Sequence, residues 1–192
     1  MLNNNFSKGV IFSCIASIFW GLPQPLFFNE LNHVETIEVV AHRGFWSFIF
    51  LFLLLILISN ISDFIEIFKS RKRIFILTIT AFLIAGNWAG FIYSVGQERV
   101  QDASMGYFIT PMISIVLGYF FLNEKITKPK FASVCLMFSG ILFLFINLNQ
   151  FPFLIIWIGT SWAIYGLLRK QVNVNPSIGL LYETFIISLI SI

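Results

Sequence analysis

Seven apolar runs of sixteen or more residues, separated by short polar segments, divide this chain of 192 residues. None of the runs alternates between polar and apolar positions, as a membrane-spanning β-strand would. A helix needs about 20 residues to cross a hydrocarbon core about 30 Å thick, and each run is near that length. The pattern predicts an all-α polytopic membrane protein with seven spans. They cover residues 9–28, 37–59, 74–96, 104–122, 131–148, 151–168 and 177–192.

Positive charges are distributed unevenly between the loops. Ten of the twelve Lys and Arg residues lie before the first run or after the second, fourth or sixth. The remaining loops are acidic or uncharged, and Arg43 and Arg99 are the only Lys or Arg residues on that side. Because short cytoplasmic loops collect Lys and Arg, the basic segments are predicted to be cytoplasmic, together with the N-terminus.

Composition agrees with a lipid bilayer as the main partner. Hydrophobic residues make up 58% of the chain and charged residues 11%, against about 25% charged residues in an ordinary soluble domain. The net charge of +3 comes from loops that end membrane spans, so nucleic acid is not an expected partner. Cys14 and Cys135 fall within apolar runs and are predicted to be buried and reduced, with no spacing that indicates a metal site or another cofactor.

A comparison of the chain with itself indicates an internal repeat. A shift of 145 residues places Trp20 on Tyr165 and Glu38 on Glu183. Five runs per repeat is an odd number, so a second copy would enter the membrane in the opposite orientation and form an inverted repeat. Residues 1–148 would form the first repeat and residues 149–192 an incomplete second one. The last run ends without flanking charges, which predicts truncation after about seven helices.

Several aromatic and amide side chains lie deep within the runs. Trp20 is about 17 Å into its span at about 1.5 Å per residue, and Trp88 and Trp162 are similarly deep. Lipid-facing or packing aromatics are the common alternative for any single one of them. For Trp20, Trp88, Trp162 and Tyr165 as a group we favour the lining of a substrate cavity. Asn87 adds an amide that lipid would not satisfy.

Three prolines interrupt the predicted spans. Pro23 and Pro25 lie near the end of the first run and Pro111 lies within the fourth, where each removes a backbone hydrogen bond. We expect kinks or half-helix ends, which would serve either as gates or as static bends. Small residues at helical spacing predict close helix contacts without any chemistry: Ser13 with Ser17 and Gly21, Gly86 with Gly90, and Ser114 with Gly118.

Ionisable residues within the runs are candidates for a polar pathway. Glu38 and His42 are one helical turn apart and could pair on one face of the helix, with Arg43 beside them. Since all three lie near the start of a span, an interfacial anchoring role is the alternative. Glu183 lies in a wholly apolar context and is harder to explain as an anchor.

Six stretches of sequence carry a resemblance to a known family. They are KGVIFSCIASIFWGL at 8–22, AHRGFWS at 41–47, NW at 87–88, ASMGYFITP at 103–111, NEK at 123–125 and YGLLRK at 165–170. These stretches resemble the drug/metabolite transporter superfamily, in its EamA-type permeases, and most closely its RarD branch of chloramphenicol-sensitive proteins.

The resemblance implies a ten-helix transporter of the bacterial inner membrane, built from two inverted five-helix repeats. Three of those helices would be absent from this chain. It also implies small metabolites or drugs as exported substrates, with protons and a second copy of the chain as further partners to consider. Tyr107 and Thr110 would join the substrate-binding residues, although Thr110 stands where this branch would have Asn.

Three functional classes follow from these patterns. A secondary transporter working by alternating access explains the repeat, the deep aromatics and the intramembrane polar groups. An enzyme is not expected, because His33 and His42 are nine residues apart and do not share a helical face as a metal pair would. The third class is an inactive fragment, or a scaffold or sensor that does not transport.

Overall fold

The computed structural model describes residues 2–58, 61–146 and 152–191, and these form α-helices joined by short turns. This confirms the predicted all-α class. The predicted span limits at Ser59, 147–148, 151 and 192 lie outside the described residues. The helices are α1 (Leu2–Gly21), α2 (Pro23–Glu30), α3 (Thr36–Ile58), α4 (Ile61–Phe68), α5 (Arg71–Gly96), α6 (Val100–Leu122), α7 (Lys128–Ile146), α8 (Phe153–Gln171) and α9 (Pro176–Ile190).

Five segments of the described chain are long and apolar enough to cross a membrane. They are Phe6–Glu30, Thr36–Leu57, Arg71–Gly96, Val100–Leu122 and Lys128–Ile146, which correspond to the first five predicted runs. The sixth and seventh runs are also helical, as α8 and α9. However, α9 has 15 residues, fewer than the roughly 20 that span a hydrocarbon core. Membrane crossing by α8 and α9 therefore stays a prediction.

The first span is divided near its end, as its prolines predict. Helix α1 ends at Gly21, and α2 begins at Pro23, where a proline costs no hydrogen bond because the first turn has no internal acceptor. Pro111 lies inside α6, and that helix continues past it to Leu122. The broken first span separates two cavities that are described below.

Helix α4 was not predicted, because a segment of eight residues is too short to show as an apolar run. It is amphipathic: Ile67 is 1% exposed, whereas Asp63 and Glu66 are exposed. Phe64 is partly buried against the same hydrophobic cluster as Ile67. Phe68 contacts Tyr182 of α9 with ring centroids 5.7 Å apart. The segment between the second and third spans is thus a packed helix that leads into the basic turn at Lys69.

Helix α5 is the centre of the fold. Helix α8 packs against α5 and α6, and α9 packs against α3 and α5. Glycines let the backbones approach, since a Cβ atom on Gly106 would lie 2.8 Å from Ile158 and one on Gly159 would lie 2.8 Å from the carbonyl oxygen of Gly106. The predicted contact at Gly86 and Gly90 is confirmed, because both lie against Trp157 of α8.

Contacts between helices also give their relative directions. Gly44, early in α3, touches Ile187, late in α9, whereas Leu55, late in α3, shares a cluster with Ile178, early in α9. Helices α3 and α9 are therefore antiparallel.

Helices α6 and α8 run in the same direction. Gly106 meets Ile158 near their beginnings, and Glu124 meets Lys170 near their ends. This shared direction is what a chain threading a bilayer would give its fourth and sixth predicted spans.

Helix α1 lies on the outside of the described structure. No residue in its most apolar window is buried, and a Cβ atom added to Gly21 would have no neighbour within 4 Å. The prediction that Ser13, Ser17 and Gly21 form a close helix contact is therefore wrong. The prediction that Cys14 and Cys135 are buried is also wrong, because both thiols are free and exposed. An apolar run indicates that its side chains are removed from water, but it does not distinguish contact with protein from contact with lipid.

Candidate functional site

A cavity of about 650 Å³ lies between the first span, α6 and α8. It brings together predicted site residues from separate stretches of the chain: Trp20, Tyr107, Thr110 and Trp162. We call it the aromatic cavity. Its full lining is Ala16, Ser17, Trp20, Gly21, Pro25, Phe91, Val100, Ser104, Tyr107, Thr110, Pro111 and Trp162.

Aromatic rings form a continuous row along this cavity. Trp20 meets Tyr107 edge-on, with ring centroids 5.0 Å apart, and lies 5.5 Å from Phe91. Tyr107 meets Trp162 at 6.4 Å, and Trp162 stacks on Tyr165 at 5.0 Å with an interplanar angle of 12°. Such edge-on and stacked pairs fix the ring orientations. The row presents flat, weakly polar surface to whatever occupies the cavity.

Asn87 lies beneath the cavity rather than in its wall. It is fully buried, and its amide nitrogen donates to the carbonyl oxygen of Ile158 at 2.9 Å and to Ser161 Oγ at 3.0 Å. Tyr107 donates its hydroxyl to Asn87 Oδ1 at 2.8 Å. Asn87 thus ties α5 to α6 and α8 and holds the Tyr107 ring in place, which is a supporting role for the cavity.

A second cavity, of about 750 Å³, lies on the other side of the broken first span, against α3. Pro23, Glu38, His42 and Arg43 line it, so we call it the arginine cavity. Glu38 and His42 are exposed, and no hydrogen bond or ion pair joins them among the described residues. The predicted pairing of these two side chains is thus not formed in this structure.

Arg43 stacks on aromatic rings at the inner side of the arginine cavity. Its guanidinium carbon lies 4.0 Å from the ring centroid of Trp88 and 5.5 Å from that of Phe28. Trp88 is 6% exposed and lines neither cavity, so its role is to support Arg43. Phe28 in turn meets Phe91 at 6.0 Å, which connects the two cavities through packed rings.

Glu183 forms a third cluster, away from both cavities. Its side chain is fully buried, and Oε1 accepts a hydrogen bond from Thr80 Oγ1 at 2.6 Å. Tyr165 donates to Oε2 at 3.1 Å, and Arg169 Nε lies 3.6 Å from Oε1. The Arg169 guanidinium also lies directly against Gly179, so a Cβ atom at that position would require the guanidinium to move. Through Tyr165 the carboxyl group is connected to the aromatic row.

An exposed ion pair closes one end of α6 and α8. Lys170 Nζ lies 2.5 Å from Glu124 Oε1, and Asn123 turns the chain with a left-handed φ of 52° to allow this. The hydrogen bond and charge of Lys170 lower the pKa of Glu124 below its ordinary value. Both side chains are solvent-exposed, so the pair contributes little to stability by itself.

The structure therefore divides the predicted residues among several places. Trp20, Tyr107, Thr110, Trp162, Pro25 and Pro111 share the aromatic cavity, whereas Pro23, Glu38, His42 and Arg43 share the arginine cavity. Asn87, Trp88 and Tyr165 support these surfaces from behind, and Glu183 contacts Tyr165 in a separate cluster.

Sequence reasoning missed several partners of these residues: Phe28, Thr80, Phe91, Ser161 and Arg169. A Thr or Ser within an apolar run usually bonds to its own helix, so nothing marked Thr80 or Ser161 in advance. For Arg169 the sequence predicts only a positive charge in a cytoplasmic segment.

Known proteins resemble the chain over most of its length. Residues 7–146 match the profile of the EamA-like transporter family. The chain is 34% identical over 177 residues to Protein RarD of Escherichia coli, covering 92% of this chain and 60% of that protein. It is 33% identical over 177 residues to an uncharacterized transporter of Vibrio cholerae, covering 92% of this chain and 58% of that protein.

A Gram-positive relative shows similar coverage. The chain is 31% identical over 183 residues to the uncharacterized transporter YojE of Bacillus subtilis, covering 94% of this chain and 61% of that protein. The chain thus spans about three fifths of the length of the curated relatives that it matches. No solved structure matches it.

Proposed function

Since this chain belongs to the EamA-like transporter family, in its RarD branch, we propose that it acts within a secondary transporter that exports small metabolites or drugs by alternating access. The aromatic cavity is the observation that carries this proposal. A volume of about 650 Å³ is in the range that ligand pockets occupy, roughly 300–1,000 Å³. The residues that line it come from spans that a repeat would bring to the middle of the protein.

The direction of the helices supports an inverted repeat. Under a shift of 145 residues, α8 corresponds to the first span and α9 corresponds to α3. Helix α9 runs antiparallel to α3, as an inverted copy would. In inverted-repeat transporters the substrate site lies between the two copies, near the membrane midplane. The aromatic cavity lies between the first span, α6 and α8 and fits that position.

Proton coupling belongs to the same proposal, and we assign it to the Glu183 cluster. An ionisable side chain within a span is costly and commonly marks an ion or proton pathway. Glu183 shares its two oxygens between Thr80 and Tyr165, and Tyr165 stacks on Trp162 of the aromatic cavity. A change in protonation of the Glu183 carboxyl group would thus be transmitted through the Tyr165 ring to Trp162 in the cavity wall.

The test is drug accumulation in bacterial cells that express the chain. One relative, from Pseudomonas aeruginosa, is named chloramphenicol-sensitive protein RarD, so radiolabelled chloramphenicol is the first probe. We expect lower accumulation than in cells without the chain, and Trp20→Ala should restore most of the difference. Phe138→Ala is the control, because Phe138 is exposed on α7 and lines neither cavity. Equal accumulation with and without the chain, for this drug and for a wider panel of labelled drugs and metabolites, would contradict the proposal.

A further inference from the structure

Arg43 carries a positive charge that no carboxylate of the described residues neutralises. Its guanidinium is half-buried at the inner side of the arginine cavity. The ion pairs of the described chain join Arg99 to Asp102, Arg169 to Glu183 and Lys170 to Glu124, and none includes Arg43. A buried charge without a partner is costly, so this site requires an explanation.

Stacking explains part of the arrangement but leaves the hydrogen-bonding groups free. Arg43 contacts the ring faces of Trp88 and Phe28. Such cation–π contacts are made over the faces of the aromatic rings and provide no hydrogen-bond acceptor such as a carboxylate oxygen. The five N–H groups of the guanidinium point outward within its plane, in the fork geometry that matches a carboxylate. No hydrogen bond of the described residues uses these groups, so the fork remains available to a ligand.

The surroundings of Arg43 suit the apolar part of a small molecule. The cavity volume is about 750 Å³, and its lining includes Phe19, Phe27, Val39 and Trp46. Apolar walls with a few polar groups that fix orientation are typical of small-molecule sites. A single planar cation beside an apolar wall selects a ligand with one negative group and an apolar body.

We propose that the arginine cavity binds a small organic monocarboxylate, held by paired hydrogen bonds from Arg43 and by packing of its apolar body on the cavity wall. This inference deepens the proposed function by naming a substrate class, and it rests on that function for its place in transport. Glu38 lines the same cavity without contacting Arg43. Its negative charge disfavours a second anionic group on the ligand, which restricts the site to monoanions.

Binding is tested with the 192-residue chain in nanodiscs of phosphatidylcholine, by isothermal titration calorimetry. The probes are 3-phenylpropionate and 3-phenylpropan-1-ol, which differ in the carboxylate. Charge-assisted hydrogen bonds contribute enough to expect at least about tenfold tighter binding of the carboxylate. Arg43→Gln should remove this difference. Arg71→Gln is the matched control, because Arg71 is exposed in the first turn of α5 and lines neither cavity.

Two further variants separate the proposed site from a purely structural role of Arg43. Arg43→Lys keeps the charge but loses the planar fork, so it should retain part of the preference even if Arg43→Gln fails to fold. Glu38→Gln should leave the affinity for 3-phenylpropionate unchanged or raise it. The proposal is overturned if the wild type shows no preference, if Arg43→Gln and Arg71→Gln behave alike, or if Glu38→Gln weakens binding as much as Arg43→Gln.

An anionic lipid headgroup offers similar chemistry and has its own arm of the experiment. Nanodiscs containing phosphatidylglycerol should bind 3-phenylpropionate as tightly as neutral ones at equal ionic strength. Loss of binding there would assign the site to lipid phosphate and overturn the proposal. Binding without any transport in cells would leave this inference standing and count against the proposed function. Transport in cells without a binding preference for the carboxylate would overturn this inference and leave the proposed function standing.

Discussion

At the scale of single residues, position within the packed structure decides what a polar side chain does. Asn87 and Arg43 lie in similar apolar runs, but Asn87 uses both its amide nitrogen and its amide oxygen inside the protein. Arg43 keeps its donors free beside a cavity. The first residue therefore holds helices together, whereas the second is available for a ligand.

Replacing Asn87 should mainly lower the stability of the folded chain. Asn87→Ala leaves the Tyr107 hydroxyl without its acceptor, and an unsatisfied buried group costs about 1–3 kcal/mol. We expect a lower thermal unfolding temperature in detergent. Asn32→Ala, at an exposed turn, is the control. An unchanged unfolding temperature for Asn87→Ala would show that the amide does not hold α5 to α6 and α8.

Removing Arg169 should also destabilise the chain. Arg169→Ala leaves the buried Glu183 carboxyl group without its charged neighbour, and breaking a buried pair in this way costs about 3–5 kcal/mol. Lys170→Ala is the matched neighbour, since it breaks an exposed pair with Glu124 and should change stability little. Chemical unfolding monitored by tryptophan fluorescence measures both variants, and equal effects would contradict this account.

At the scale of helices, close contact between backbones holds α8 to α6 and α5. Trp157 of α8 fits against Gly86 and Gly90, and its indole N–H donates to the carbonyl oxygen of Gly86 at 2.9 Å. Thr110 adds a weak hydrogen bond across the α6–α8 contact, at 3.4 Å to the carbonyl oxygen of Gly159. Packing and interhelical hydrogen bonds of this kind replace the hydrophobic effect where lipid is the solvent.

A single added methyl group should test that contact. Gly106→Ala places a Cβ atom 2.8 Å from Ile158, and forcing extra volume into a packed contact costs about 1–3 kcal/mol. Gly140→Ala on α7 is the control, because nothing lies within 4 Å of its added Cβ. We expect Gly106→Ala to unfold at a lower temperature and Gly140→Ala to be unchanged or slightly more stable, since alanine favours helices. Equal unfolding temperatures would mean that α6 and α8 are not in close contact.

At the scale of the whole molecule, the shared direction of α6 and α8 agrees with the distribution of charge. Glu124 and Lys170 meet at one end of α6 and α8, and both lie in segments that the positive-inside rule assigns to the cytoplasm. Lys69 and Arg71 lie just before and at the start of α5, in a third segment that the same rule assigns to the cytoplasm.

Cysteine labelling tests the orientation directly. In a chain with Cys14 and Cys135 replaced by serine, cysteines at Asn32 and Asn149 should react with an impermeant maleimide on intact cells. Cysteines at Ser70 and Lys128 should react only after the membrane is opened. The reason is the excess of Lys and Arg in the second pair of segments. Reversed labelling would refute both the orientation and the inverted repeat that depends on it.

The sequence by itself determined the class of the protein, because the length and apolarity of the runs follow from the thickness of the bilayer alone. It also singled out residues that line the cavities, since Trp20, Trp162 and Arg43 are unusual within apolar runs, and the family resemblance added Tyr107. Short helices such as α4 could not be predicted from the sequence, because eight residues show too little periodicity to be distinguished from a loop.

Tertiary structure decided how those residues are grouped. It separated Trp20 from Arg43 by placing them in different cavities on either side of the broken first span. It also turned Asn87 and Glu183 inward to partners on other helices. Glu183 and Thr80 are 103 residues apart in the chain, and Asn87 and Ile158 are 71 apart. Local pattern carries no information about contacts at such separations, which depend on how the helices pack.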